Sequence, residues 1–108
     1  MLNLTPHDIV VDVNGAATVF SASGVVARLK VETTLDTELN GIPVYLKNVT
    51  GTVDLPLDDQ PIIVSGMVLD YLMANPLRKE GTTFAPNTND AIRNDKGHII
   101  AVKSLLMV

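Results

Sequence analysis

Four groupings of polar side chains in the 108-residue sequence could do chemistry, and each would do a different kind. His7, Asp8, Asp12 and His98 are the residue types that hold metal ions. Neither histidine has a second one at H-x-x-x-H spacing, and Asp8 and Asp12 fall on one side of an alternating run, as solvated strand residues do. No metal site is expected. Ser65, followed by Gly66, sits where an apolar run gives way to a helical pattern, which is where a nucleophile elbow would stand. The flanking "IVSGM" lacks the leading glycine of G-x-S-x-G, and a helix cap accounts for the hydroxyl without further assumption. The same helix start offers unpaired N–H groups to an anion, so Ser65 is retained as a ligand contact.

The richest grouping is "FAPNTNDAIRNDKG". Phe84 offers an aromatic face, Asn87 and Asn89 amides, Thr88 a hydroxyl, Asp90 a carboxylate and Arg93 a guanidinium. Stacking, edge hydrogen bonds and a charge clamp are what recognition of a base and a sugar phosphate demands. The simpler account is an ordered loop whose Asn and Asp side chains bond their own backbone. The binding reading takes Arg93 as the phosphate clamp and Asn87, Thr88 and Asn89 as readers of polar edges. His7 closes the pocket from the N-terminal strand, and Arg78 adds a second positive charge.

Composition narrows the classes of function. Twelve acidic against eight basic residues give a formal charge of −4, and the basic residues form no stripe, so no nucleic-acid partner is expected. With no cysteine there are no disulfides, thiolate ligands or cysteine nucleophiles. No Walker or Rossmann glycine pattern occurs. No apolar stretch reaches spanning length and no leader-type pattern opens the chain, so the expectation is no membrane partner and a cytoplasmic location.

These side chains need elements to position them. "DIVVDV" alternates, Asn14-Gly15 suits a tight turn, and a partner strand through Phe20 follows. "VVARLKVE" alternates with one face in the core, Asn40-Gly41 repeats the turn, and Pro43 marks an edge strand. Ile62 to Val64 reads as a central strand, with a helix at about 66–75 closed by Asn75-Pro76. Leu77 to Asp90 reads as a long loop, and His98 to Val108 as a strand covered on both faces. The sum is a single domain over 1–108, mainly β (α+β). Its antiparallel sheets or small barrel would hold six to eight short strands and one inserted helix.

Three ordered motifs, "NLTPHDIVV", "PIIVSGMV" and "APNTNDAIRNDKGHIIAVKSL", resemble a family of small proteins found in phages, prophages and bacteria. The family pattern is N-L-T-P-H, I-V-S before a helix, A-P-[DN]-T, and R-[DN]-x-x-G-x-I. Asn3, Thr5, Pro6 and His7 match it, then Ser65, then Pro86, Asn87 and Thr88, and lastly Arg93 and Gly97. Members with an aspartate where this chain has Asn87, and Gly-Pro where it has Asn89-Asp90, leave no carboxylate role to carry over to position 87. By analogy of size and context, the resemblance implies a phage protein that sequesters a cyclic-nucleotide or cyclic ADP-ribose immune signal. Such proteins are commonly homo-oligomers that need no cofactor. The expected function is therefore a non-enzymatic binder of a small anionic nucleotide-like ligand. A protein–protein module, a phage inhibitor or virion accessory protein acting through a strand edge, is the alternative, and a small hydrolase using His7 and Asp8 with Ser65 or a metal the third.

Overall fold

Both Asn-Gly pairs adopt positive φ at their two residues, 53° and 86° at Asn14-Gly15 and 50° and 80° at Asn40-Gly41, the geometry of a two-residue hairpin turn. In the computed structural model, which describes residues 1–108, the first turn joins β2 (Ile9–Val13) to β3 (Ala16–Phe20). The second joins β4 (Arg28–Leu39) to β5 (Ile42–Val53), both twelve residues long. The remaining elements are β1 (Leu2–Asn3), β6 (Ile62–Ile63), α1 (Gly66–Ala74), β7 (Thr83–Pro86), β8 (Ala91–Arg93), β9 (Ile99–Val102) and β10 (Leu105–Met107).

The fold is mainly β with one helix, as the periodicities indicate, in three separate sheets. One has the order β1-β6-β7-β10, the second β3-β2-β9-β8, and the third is the β4–β5 hairpin alone. None closes into a barrel. Nor are the two larger sheets purely antiparallel: β1, β6 and β7 run parallel, and so do β2 and β9. The helix makes the parallel β6–β7 pairing possible, because it carries the chain back to the start of the neighbouring strand.

The core lies between α1 and the first sheet. Leu4, Ile62, Val64, Val68, Leu69, Leu72 and Ala85 pack together, with Ala27 at the margin. Ile62 to Val64 is the fully buried central strand that its β-branched run suggests. Ser65 caps the helix: its backbone is extended, and its hydroxyl accepts from the Val68 N–H at 3.3 Å. At the other end Asn75 donates its N–H, and its side-chain amide, to the Tyr71 carbonyl.

Three expectations give way. The stretch from Leu77 to Asp90 is no loop throughout, since β7 lies inside it, paired to both β6 and β10. His98 to Val108 is two strands belonging to different sheets, and Ile99, Ile100, Leu106 and Met107 are exposed. The alternation in "VVARLKVE" does not set a core face along its length. Ala27 is buried, Leu29 half-buried and Val31 exposed, because beyond Leu29 the hairpin leaves the body and has no sheet beneath it.

The departing hairpin dominates the shape. The radius of gyration is 16.6 Å and the long axis 53 Å, where a compact chain of this size would have a radius of about 13 Å. Val31, Leu35, Leu39, Ile42, Tyr45 and Leu46 are all exposed along it. Its register slips twice, between Lys30 and Val31 and between Leu35 and Thr37, which adds twist.

Candidate functional site

The N-terminal motif is built first as a clamp. Asn3 is buried, and its side-chain amide donates to the carbonyls of His7 and Phe20, each at 2.8 Å. Its Oδ1 accepts from the Thr5 N–H at 2.9 Å and the Thr5 hydroxyl at 2.7 Å. Thr5 also reaches the His7 carbonyl at 2.9 Å. Every polar atom of the Asn3 side chain is thus spent on fastening the end of β1 to the entry of β2 and the exit of β3. Asp8 extends the clamp by accepting from the Ala22 N–H at 2.8 Å. The main chain at His7 is therefore held from two sides, while its imidazole has no intramolecular partner.

That imidazole opens onto a groove of about 260 Å³. Asp8, Ile9 and Val10 continue its wall along β2, Ile99 to Val102 supply the wall along β9, and Pro86 and Thr88 come from the chain after β7. The floor is mostly apolar, with the imidazole, the Asp8 carboxylate and the Thr88 hydroxyl as its polar side chains. The N-terminal histidine and the polar stretch after the helix thus share one hollow through His7, Pro86 and Thr88.

The other expected site residues lie elsewhere. Asn87 donates its side-chain amide to the Ser104 hydroxyl at 3.1 Å, and backbone bonds from Asn87 to Ser104 and from Lys103 to Asp90 close the same turn. These bonds tie the loop to the segment before β10. Of the Asn and Asp side chains in the stretch, only Asn94 bonds its own neighbouring backbone as in the simpler account, accepting from the Lys96 and His98 N–H groups. Asn89 is exposed beside it. Arg93 pairs with Ile99 across the β8–β9 ladder and lies at the same end of the sheet as the start of β2, with β9 between them. Its guanidinium donates to the Gly97 carbonyl at 2.7 Å and does not line the groove. Phe84 is half-buried within β7, paired with Met107, and does not line the groove either.

Arg78 and Ser65 need correcting as ligand contacts of this hollow. The Arg78 side chain is only 2% exposed, and its guanidinium bonds the Thr83 hydroxyl at 2.9 Å, the Thr82 hydroxyl, and the carbonyls of Pro56 and Gln60. Asp58 stands 3.6 Å away at the surface. Four of the guanidinium's five fixed donors are bonded in this way, the fifth is on the side of Asp58, and the residue does not line the groove. Ser65 caps α1 and lines a different groove. A Ser65–His7–Asp8 hydrolase centre is thereby divided between two hollows.

The second groove, of about 320 Å³, lies at the base of the β4–β5 hairpin. It is lined mainly by Leu4, Pro6, Val26, Ala27, Leu29 and Met67, with Arg28 on its margin. The motif residues Thr5, Pro6 and Ser65 line it too, but its walls come from three separate segments whose meeting no local pattern in the sequence announces.

No three His, Asp or Glu side chains gather where they could hold a metal ion. No helix is long and apolar enough to cross a membrane. No known family, curated protein or solved structure matches the chain.

Proposed function

We propose that the protein is a non-enzymatic binder that sequesters a small nucleotide-derived molecule in the His7–Thr88 groove. The observation that supports this is the meeting of an unpartnered imidazole and a hydroxyl over an apolar floor, in a hollow walled by the paired strands β2 and β9. Ligand sites combine these two properties, apolar walls and a few fixed polar groups. The groove lies just under the usual range of about 300–1,000 Å³, so one copy accommodates a base or a sugar rather than a whole cyclic dinucleotide. Arg93, at the same end of the sheet, is the cation nearest in register to meet a phosphate outside the rim. The resemblance to phage proteins supplies the biological class, an immune signal such as a cyclic nucleotide or cyclic ADP-ribose.

Calorimetry with cyclic di- and trinucleotides and cyclic ADP-ribose isomers tests the reading. One member of the panel binds with micromolar affinity, and His7→Ala or Thr88→Val weakens it about tenfold, the cost of one lost polar contact. Arg93→Ala weakens the bound member of the panel but not the corresponding phosphate-free nucleoside. Absence of heat with every member overturns the proposal.

A protein–protein module is the second reading. It is favoured by the exposed apolar hairpin, which gives the chain a large surface that its own core does not use.

A further inference from the structure

The β4–β5 hairpin is a structure without a partner. Isolated two-stranded ribbons are marginal in water, and this one has twelve-residue strands with apolar side chains on both faces. Cross-strand pairs define the faces. Leu35 stands opposite Tyr45, and Val31 opposite Val49, on one side, while Leu39 stands opposite Ile42 near the tip. The ribbon is also exposed at both edges. Pro43 removes a donor from β5, so β4 is the better template for another strand.

The charges of β4 identify the strand that fits. Its body end carries Arg28 and Lys30, its tip end Asp36 and Glu38, with Glu32 and Thr33 near the middle. A strand laid antiparallel along β4 must therefore be acidic at one end and basic at the other, and β4 itself has that pattern. We propose that two copies of the chain exchange arms, β4 against β4 antiparallel about Thr33. This seam sets Thr33 beside the second copy's Thr33, Glu32 beside its uncharged Thr34, Val31 beside its Leu35, and Lys30 beside its Asp36 bulge. Each cationic base meets an anionic tip, whereas a parallel seam would bring like charges together.

The groove at the base of the arm gives independent support. In this register the second copy's Leu39 arrives beside Ala27 and Arg28, where the 320 Å³ apolar groove opens. An exposed apolar side chain at the tip thus reaches the larger of the two grooves. Net charge does not oppose the contact. Residues 28–53 hold three basic and three acidic side chains, so the whole −4 of the chain resides in the body. A two-fold seam is self-complementary, so it closes at two copies. The inference is independent of the His7–Thr88 groove, and the dimer can form whether or not that groove binds a nucleotide.

The test is sedimentation equilibrium of the full chain and two charge-reversed variants. Wild type forms a dimer at micromolar concentration. Arg28→Glu with Lys30→Glu, and separately Asp36→Lys with Glu38→Arg, each weaken self-association at least about tenfold, because each now sets like charges together. Mixed in equal amounts, the two variants form a heterodimer, since every reversed base then meets an unlike tip. Restoration on mixing also shows that both variants are folded. A wild-type monomer at about 100 μM, variants that associate as wild type does, or a mixture that stays monomeric overturns the proposal. So does a monomer that instead binds a foreign protein through the arm. Failure of the calorimetric panel leaves this result untouched, so the two proposals fail separately.

Discussion

At the residue scale, buried polar side chains here hold loops in place rather than perform chemistry. Arg78 is the clearest case. It joins the segment around Pro56 and Gln60, which has no regular structure, to the entry of β7. No buried side-chain nitrogen or oxygen lacks a partner, so removing Arg78 would strand several acceptors at once. Arg78→Ala is expected to lower unfolding free energy by about 3 kcal/mol, from lost charge-assisted bonds and orphaned carbonyls. Asp58→Ala is expected to cost no more than about 1 kcal/mol, because the carboxylate is 61% exposed and its attraction is screened. Urea denaturation of the two variants measures the contrast. Equal losses would show that the ion pair, and not the bracket of carbonyls, holds the loop. Sequence alone offered Arg78 as a spare cation because its partners are backbone oxygens 18 and 22 residues away, which carry no side-chain signature.

At the element scale, legibility followed the locality of the cause. The two hairpins were readable because Asn-Gly fixes the turn within two residues, and β6 and α1 because burial and capping are written in consecutive positions. β7 was hidden in a stretch without periodicity, since it is held by neighbours on both sides rather than by its own pattern. The reach of β4 and β5 was hidden too, because an alternating sequence looks alike over a core and in open solvent. His7 and Thr88 were expected in one site and share a groove, whereas Asn87 and Arg93 are turned to other parts of the chain. The helix allows a direct test of the Ser65 assignment. It has no acidic residue in its first turn and no basic residue in its last, so the cap is its main local support. Ser65→Ala should cost about 1 kcal/mol, and Ser65→Asp should recover most of it, since either oxygen can accept from Val68. Thermal unfolding distinguishes this from a packing role, in which Asp would be worse than Ala.

At the scale of the whole molecule, two parts meet different physical demands. The body has a single cluster of buried apolar side chains, and only 15 of 108 residues are buried altogether. The arm beyond Leu29 adds nothing to that cluster and would be stabilised only by association. If two copies bind through folded arms, mass action must couple stability to concentration, because the dimer withdraws molecules from the unfolding equilibrium. Wild-type midpoints should therefore rise with protein concentration, by several degrees over a hundredfold range for a domain of about 100 residues. Replacing Thr33–Lys47 with Asn-Gly closes the ribbon at Glu32 and Asn48, which are already paired. That shortened chain should still unfold cooperatively, at a midpoint that no longer depends on concentration and that matches dilute wild type within a few degrees. Differential scanning calorimetry at both ends of the range reads all three quantities. A shortened chain that fails to fold would mean that the arm supports the body within one copy, which the exposure of its side chains argues against. A midpoint that stayed concentration-dependent after shortening would move the association to another surface, the exposed strands β9 and β10 foremost.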